Sequence, residues 1–281
     1  MEKSSEALTW SRFLLLGKMQ LLLLLLAFFL LPRAEAESSV CQHCSETELQ
    51  SRQKEPGEII GGHEAKPHSH PYMAYLKINS SEICGGFLIQ EDFVLTAAHC
   101  LGSQIEVTLG AHNIEEQEDT QQVFRVQNAF PHPDYNRKKH INDIMLLKLE
   151  KRAKLTKAVQ LLHLPERRTE VNPGARCQVA GWGNFTPEET HSRTLQEVEM
   201  IVQKDQMCEE RFKMYNRATQ ICVGDPNIKN TSNKGDAGAP LVCNNVAIGI
   251  VCYGRKNGMT PSIFTKVSCF LHWIKKTMKQ S

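Results

Sequence analysis

His99 stands in "LTAAHC", Asp143 in "NDIMLL", and the stretch "KGDAGAPLVC" runs from Lys234 to Cys243. An imidazole can take the proton of a hydroxyl nucleophile, and a carboxylate can orient that imidazole and balance its charge. Backbone N–H groups of a glycine-containing turn can hold a developing oxyanion. Together such groups would perform acyl transfer. The loop supplies Asp236 and glycines at 235 and 238, but position 237 is alanine. A methyl group has no lone pair to attack a carbonyl and no proton for an imidazole to accept, so the acyl-enzyme route has no nucleophile. The plainer reading of His99 and Asp143 is a satisfied structural pair.

Short strands must position these residues. From Ile59 onward "PYMAYLKI", "CGGFLI", "FVLTAAHC", "IEVTLGA", "QVFRVQNAF", "DIMLLKL", "CQVAGWG", "LQEVEMIV", "APLVC" and "VAIGIVCYG" are each of strand length, several alternating apolar with polar side chains. Gly, Pro and Asn separate them, which predicts an antiparallel all-β body of barrel or sandwich type. Only "FLHWIKKTMKQ" has helical spacing, with Phe270, Trp273 and Ile274 able to share one face and Lys275, Lys276 and Lys279 near the negative end of the dipole. The 223 residues from Ile59 to Ser281 form one folding unit.

Residues 1–36 read as a secretory signal peptide. Lys3, Arg12 and Lys18 precede the apolar run Leu21 to Leu31, and Ala34-Glu35-Ala36 has the small-x-small shape of a cleavage site. The apolar run is too short to cross a bilayer, so no stable membrane span is expected. Residues 37–58 are a polar leader, and residues 59–281 are the body. Ten cysteines in an exported chain imply disulfides. None has the spacing of a zinc finger, and "CQHC" is a lone pair, so neither metal nor cofactor is expected. Asn79, Asn184 and Asn230 open glycosylation sequons. The whole chain carries a formal charge of +2, and the body has 27 Lys and Arg against 23 Asp and Glu, a net of +4. That balance suits acidic glycans as partners and gives no argument for nucleic acid.

Four stretches in order, "IIGGHEAKPHSHPYMAYL" from Ile59, "LTAAHC", "NDIMLL" and "GDAGAPLVC", resemble the trypsin-like serine proteases. The resemblance covers Ile59 to Ser281, and "IIGGHEAKPHS", "GIVCYGRKNGM" and "HWIKKTMK" draw it toward the granzymes of cytotoxic lymphocyte granules, granzyme B-like chains in particular. It implies two packed antiparallel six-stranded β-barrels with a cleft between them and a C-terminal α-helix. It also implies that His99 is the general base, Asp143 its orienting partner, and Ala237 the occupant of the nucleophile position. The N–H groups of Gly235 and Ala237 would line the oxyanion hole, and Asp236 would receive the Ile59 ammonium once the leader is removed. Met19 to Ala36 resembles a complete family signal, so Met19 is an alternative start. The short family propeptide is matched by Gly57-Glu58, with Glu37 to Pro56 inserted before it.

The resemblance pairs Cys84 with Cys100, Cys177 with Cys243, and Cys208 with Cys222. Cys252 and Cys269 fall where such chains usually have serines and are either free thiols or paired with each other. Around the specificity pocket, Ser262 stands where granzyme B-like chains carry an arginine for acidic substrates. Thr231 at the pocket base is uncharged, and Cys252 lies in the neighbouring substrate-pairing stretch. Neither an acidic nor a basic substrate preference therefore carries over. Ala239 replaces a second glycine of the loop, and if that position needs the room only glycine gives, its Cβ would strain or shift the backbone. The expected function is a catalytically inactive granzyme-like protease homologue, secreted or granule-directed, whose cleft binds peptides or protease inhibitors. The alternative is a granzyme-type serine endopeptidase.

Overall fold

The structure, a computed structural model, describes residues 62–79, 81–183, 192–227, 235–254 and 260–281. The signal peptide, the leader, Ile59, Thr231, Asn184 and Asn230 lie outside the described residues. Strand β1 is His63–Glu64, followed by β2 (Met73–Ile78), β3 (Glu82–Gln90), β4 (Phe93–Thr96), β5 (Ile105–Leu109), β6 (Gln122–Pro131) and β7 (Met145–Leu149). Alternation decides the faces. In β2 the side chains of Ala74, Leu76 and Ile78 are buried while Lys77 is exposed, and in β5 Ile105, Val107 and Leu109 are buried while Glu106 is exposed. Antiparallel pairing of β2 through β7 in the order β2-β3-β4-β7-β6-β5, with β5 returning to β2, closes a six-stranded barrel. Phe87, Phe93, Leu95, Ile144 and Leu146 are among the side chains that fill its core.

The second half contains β8 (Arg176–Gly181), β9 (Gln196–Ile201), β10 (Gln220–Val223), β11 (Pro240–Cys243), β12 (Val246–Tyr253) and β13 (Ser262–Lys266). Here the expectation of a second six-stranded barrel is wrong. The strands form a seven-stranded sheet in the order β1-β9-β8-β11-β12-β13-β10, and the sheet does not close. Closure would need a ladder between β9 and β10. Strand β9 ends at Ile201, and the two are joined only by the isolated bridge Val202–Val223 with the flanking bonds Gln203 N–H to Cys222 O and Gly224 N–H to Ile201 O. The two-residue β1 instead adds a seventh strand beside β9.

Helix α1 (Asp205–Arg211) is short and is tied to β10 by the Cys208–Cys222 disulfide. Helix α2 (Leu271–Gln280) follows a 3-10 turn at Val267–Phe270, and Phe270, Leu271 and Ile274 pack into the core of the closed barrel. The ring of His132 on that barrel's side lies 5.2 Å from Phe270 and 5.1 Å from Trp273. Two further disulfides, Cys84–Cys100 and Cys177–Cys243, join neighbouring segments within each half. Closing a loop of the Cys84–Cys100 size contributes about 3 kcal/mol in the chain-entropy account. Cys252 and Cys269 are both free thiols, the first buried and the second exposed. Among the described residues no helix is long and apolar enough to cross a membrane.

Candidate active site

His99 sits in a 3-10 turn, Ala98–Cys100, that leaves the end of β4 and is held by the Cys84–Cys100 disulfide. Asp143 lies two residues before β7, the strand that pairs with β4, so sheet register alone brings the two together. His99 Nδ1 is 2.6 Å from Asp143 Oδ2, and the His99 backbone N–H donates to Oδ1 at 2.9 Å. Asp143 is fully buried, whereas about a quarter of the His99 side chain faces solvent. Burial opposes the charge on Asp143, but the hydrogen bond and attraction from His99, the Cys252 thiol and the His99 N–H outweigh it and hold the carboxyl below its ordinary range. The Thr265 hydroxyl donates to the Asp143 carbonyl at 2.9 Å and fixes the backbone.

Cys252 lies beneath this pair. Its Sγ donates to Asp143 Oδ2 at 3.0 Å and lies 3.7 Å from the His140 carbonyl oxygen. Burial, and then the charge of Asp143, push the thiol pKa well above its ordinary value. A thiol held protonated against a carboxylate is a donor, not a nucleophile. Sequence reasoning did not single out His140. Its ring packs edge-on to His99 at 6.1 Å and against Tyr253 at 5.1 Å. Burial favours the neutral form of His140, with Asp143 opposing and His99 and Arg137 adding to the effect.

The loop preceding β11 comes from the other half of the molecule. Asp236 is fully buried, and its Oδ1 accepts the Gly183 N–H at 2.9 Å. A Cβ on Gly181 or Gly183 would lie 2.1 or 2.5 Å from that oxygen, so the carboxylate can sit there only because "GWG" has glycine at both ends. The Ala237 carbonyl accepts the Gly85 N–H of β3 at 2.8 Å and lies 3.7 Å from Cys100 Sγ, which sets residue 237 alongside the turn that carries His99. Gly238 has φ of +87° and a position where a Cβ would meet Thr96 Oγ1 at 2.2 Å, so this residue needs to be glycine. Gly235 also has positive φ, +101°.

Ala239 does not sit at a position that requires glycine. Its backbone is not among the positive-φ residues, its side chain is fully buried, and its methyl faces Gly85 at a point where a second Cβ would come within 2.9 Å. Ser262 is buried on β13 with its hydroxyl turned toward Gly254. Asn79 is exposed, and its Oδ1 accepts bonds from Ser103 N, Ser103 Oγ and Gln104 N. The structure thus brings His99, Asp143 and Cys252 into one hydrogen-bonded group, with Gly235, Asp236 and Ala237 on the adjoining loop.

Residues 59–274 match the trypsin family. The chain belongs to that family. Among trypsin-family proteins it is 60% identical to granzyme B of Homo sapiens, across 93% of this chain and 100% of that protein. It is 62% identical to granzyme B(G,H) of Mus musculus, across 83% of this chain and 96% of the relative. A solved structure described as "Structure of GrC" superposes with a TM-score of 0.76 at 55% identity, covering 79% of this chain and 100% of the other. The chain is therefore a granzyme-like member of the trypsin family, with alanine at position 237 of the loop beside the histidine–aspartate pair.

Proposed function

We propose that this chain is a granzyme-type protease homologue that holds peptide segments or protease inhibitors in its cleft without cutting them. His99 and Asp143 are the residues of a proton-transfer pair, and Gly235 and Ala237 offer the backbone N–H groups of an oxyanion site. The observation that carries the reading is the methyl group at 237, set into a loop whose anchor at Asp236 and whose contact with Gly85 are in place. Loss of the nucleophile from such a constellation lowers turnover by about 10⁶-fold. Cys252 offers no substitute, because its thiol is buried beneath Asp143 and is used as a donor. Ser262 and Thr231, neither of them charged, favour a pocket without preference for acidic or basic side chains.

The second reading is a granzyme-type serine endopeptidase of cytotoxic granules, favoured by relatives that carry granzyme names. Both readings place the chain in secretory granules or outside the cell after signal cleavage. Purified protein with the leader cut before Ile59 separates them. The expected result is no labelling by a fluorophosphonate probe and no turnover of a broad peptide library, with retained binding of a cleft-directed protein inhibitor. Labelling or turnover at the level of an active protease establishes the second reading.

A further inference from the structure

A second imidazole, which the proton-transfer pair does not need, stands beside His99. His140 lies three residues before Asp143, in a segment where His140 and Asn142 both adopt left-handed backbone, with φ of +50° and +56°. Such a conformation is costly for a non-glycine residue and persists where surrounding bonds enforce it. Those bonds are present. The His140 carbonyl accepts Gln220 Nε2 at 2.9 Å, the Asn142 side chain donates to the Asp134 carbonyl at 3.0 Å, and Asn136 N–H donates to the Ile141 carbonyl at 2.9 Å. The result is a ring fixed beside His99 with a buried Nδ1 that has no hydrogen-bond partner.

One ligand atom from each of His99, His140 and Asp143 lies within 4.8 Å of the others. Two imidazoles and a carboxylate are the donor set of many three-ligand zinc sites, with nitrogen and oxygen about 2.0–2.2 Å from the ion, so His99 Nδ1 and Asp143 Oδ2, now 2.6 Å apart, would separate to admit it. The only other comparable group among the described residues is His99 with Cys84 and Cys100, and those two sulfurs are committed to a disulfide. We propose that His99, His140 and Asp143 form a binding site for a divalent transition metal of the zinc class. Cys252 donates to the carboxylate, as outer partners do for metal-bound carboxylates, and Thr265 fixes the backbone carbonyl of the same residue. Occupancy would engage His99 and Asp143, so metal binding and proton transfer exclude each other at this site. The proposal stands whether or not the chain cleaves peptides.

The test is titration of the purified full-length chain with Zn²⁺ in competition with a chromogenic chelator, together with the visible absorption of bound Co²⁺. One equivalent should bind, with the Co²⁺ bands of a four-coordinate nitrogen–oxygen site. His99→Ala and His140→Asn should each weaken binding by at least about 10-fold. Asn tolerates left-handed backbone, so His140→Asn leaves the segment's conformation in place. His272→Ala, on the exposed side of α2, should change nothing. Absence of a stoichiometric site, or affinity unaltered by His140→Asn in protein of unchanged thermal stability, overturns the proposal.

Discussion

The two sides of the site are built to different tolerances. On the closed-barrel side, His99 and Asp143 depend on each other, through two hydrogen bonds to a fully buried carboxylate. On the open-sheet side, the loop of Gly235 to Ala239 depends on its backbone and on Asp236, through the Gly183 N–H, the Gly85 N–H and the glycine at 238. The hydrogen bonds that hold the loop run through its backbone and the Asp236 carboxylate. A hydroxymethyl can therefore become a methyl there without altering any bond that shapes the fold, while the chemistry loses its attacking atom. On the proposed reading, fold and reaction separate at a single atom.

The largest effect should come from returning that atom. Ala237→Ser is expected to give fluorophosphonate labelling and to raise peptide turnover toward the full difference of about 10⁶-fold that separates complete and incomplete constellations. His99→Ala in the Ala237→Ser background should remove that gain almost entirely, because residues that act as a unit fail together. If Ala237→Ser stays silent while the protein remains folded, the two sides are not in working register.

Next in size is the loop's anchor. Gly183→Ala puts a Cβ 2.5 Å from Asp236 Oδ1, closer than the two atoms can stand, and disrupts the N–H bond to that carboxylate. Unfolding free energy should fall by about 3 kcal/mol in urea denaturation. A loss below 1 kcal/mol would mean that the loop does not depend on this contact.

On the other side, Cys252→Ala removes a donor to Asp143 and should cost about 1–2 kcal/mol at neutral pH, whereas Cys252→Ser retains a donor and should cost less. The pH dependence has a definite sign. The folded pKa of Asp143 is lowered, so its stabilising contribution is complete above the unfolded carboxyl pKa of about 3.9 and is lost as pH falls through the lower folded value. The gap between wild type and Cys252→Ala should shrink across that acidic window, measured as denaturation midpoints.

Much of this was legible in the sequence where local pattern and final environment agree. The alternating strands β2 and β5 declared their faces, and "LTAAHC", "NDIMLL" and "GDAGAPLVC" marked the two sides of the cleft. Strands β10 and β13 gave weaker signals, since "QICV" is buried throughout and "SIFTK" nearly so, leaving no alternation to read. Strand β1 is two exposed residues, and α1 carries little apolar periodicity because a disulfide, not a packed stripe, holds it. Whether the second sheet closes is decided by one missing ladder between β9 and β10, which no local pattern encodes. His140 was invisible for a related reason. Its place beside His99 follows from left-handed backbone at two non-glycine residues, a property of the folded loop.

The smallest effect bears on the loop's second alanine. A methyl that strained the backbone would make Ala239→Gly stabilising. The methyl instead lies buried in contact with Gly85, on backbone that does not require glycine, so removing it should lose packing and add chain freedom. The expected cost is about 1 kcal/mol, read as a lowered midpoint in urea. A double-mutant cycle sharpens the sign. Gly85→Ala alone brings two Cβ atoms to within 2.9 Å and should destabilise, and the same change with Ala239→Gly should recover part of that loss. The recovery should be partial, because the Ala239 backbone nitrogen and Cα also stand within 3.2 Å of the added carbon. Purely additive costs would show that the two residues do not share the contact, and a stabilising Ala239→Gly would place strain in the loop after all.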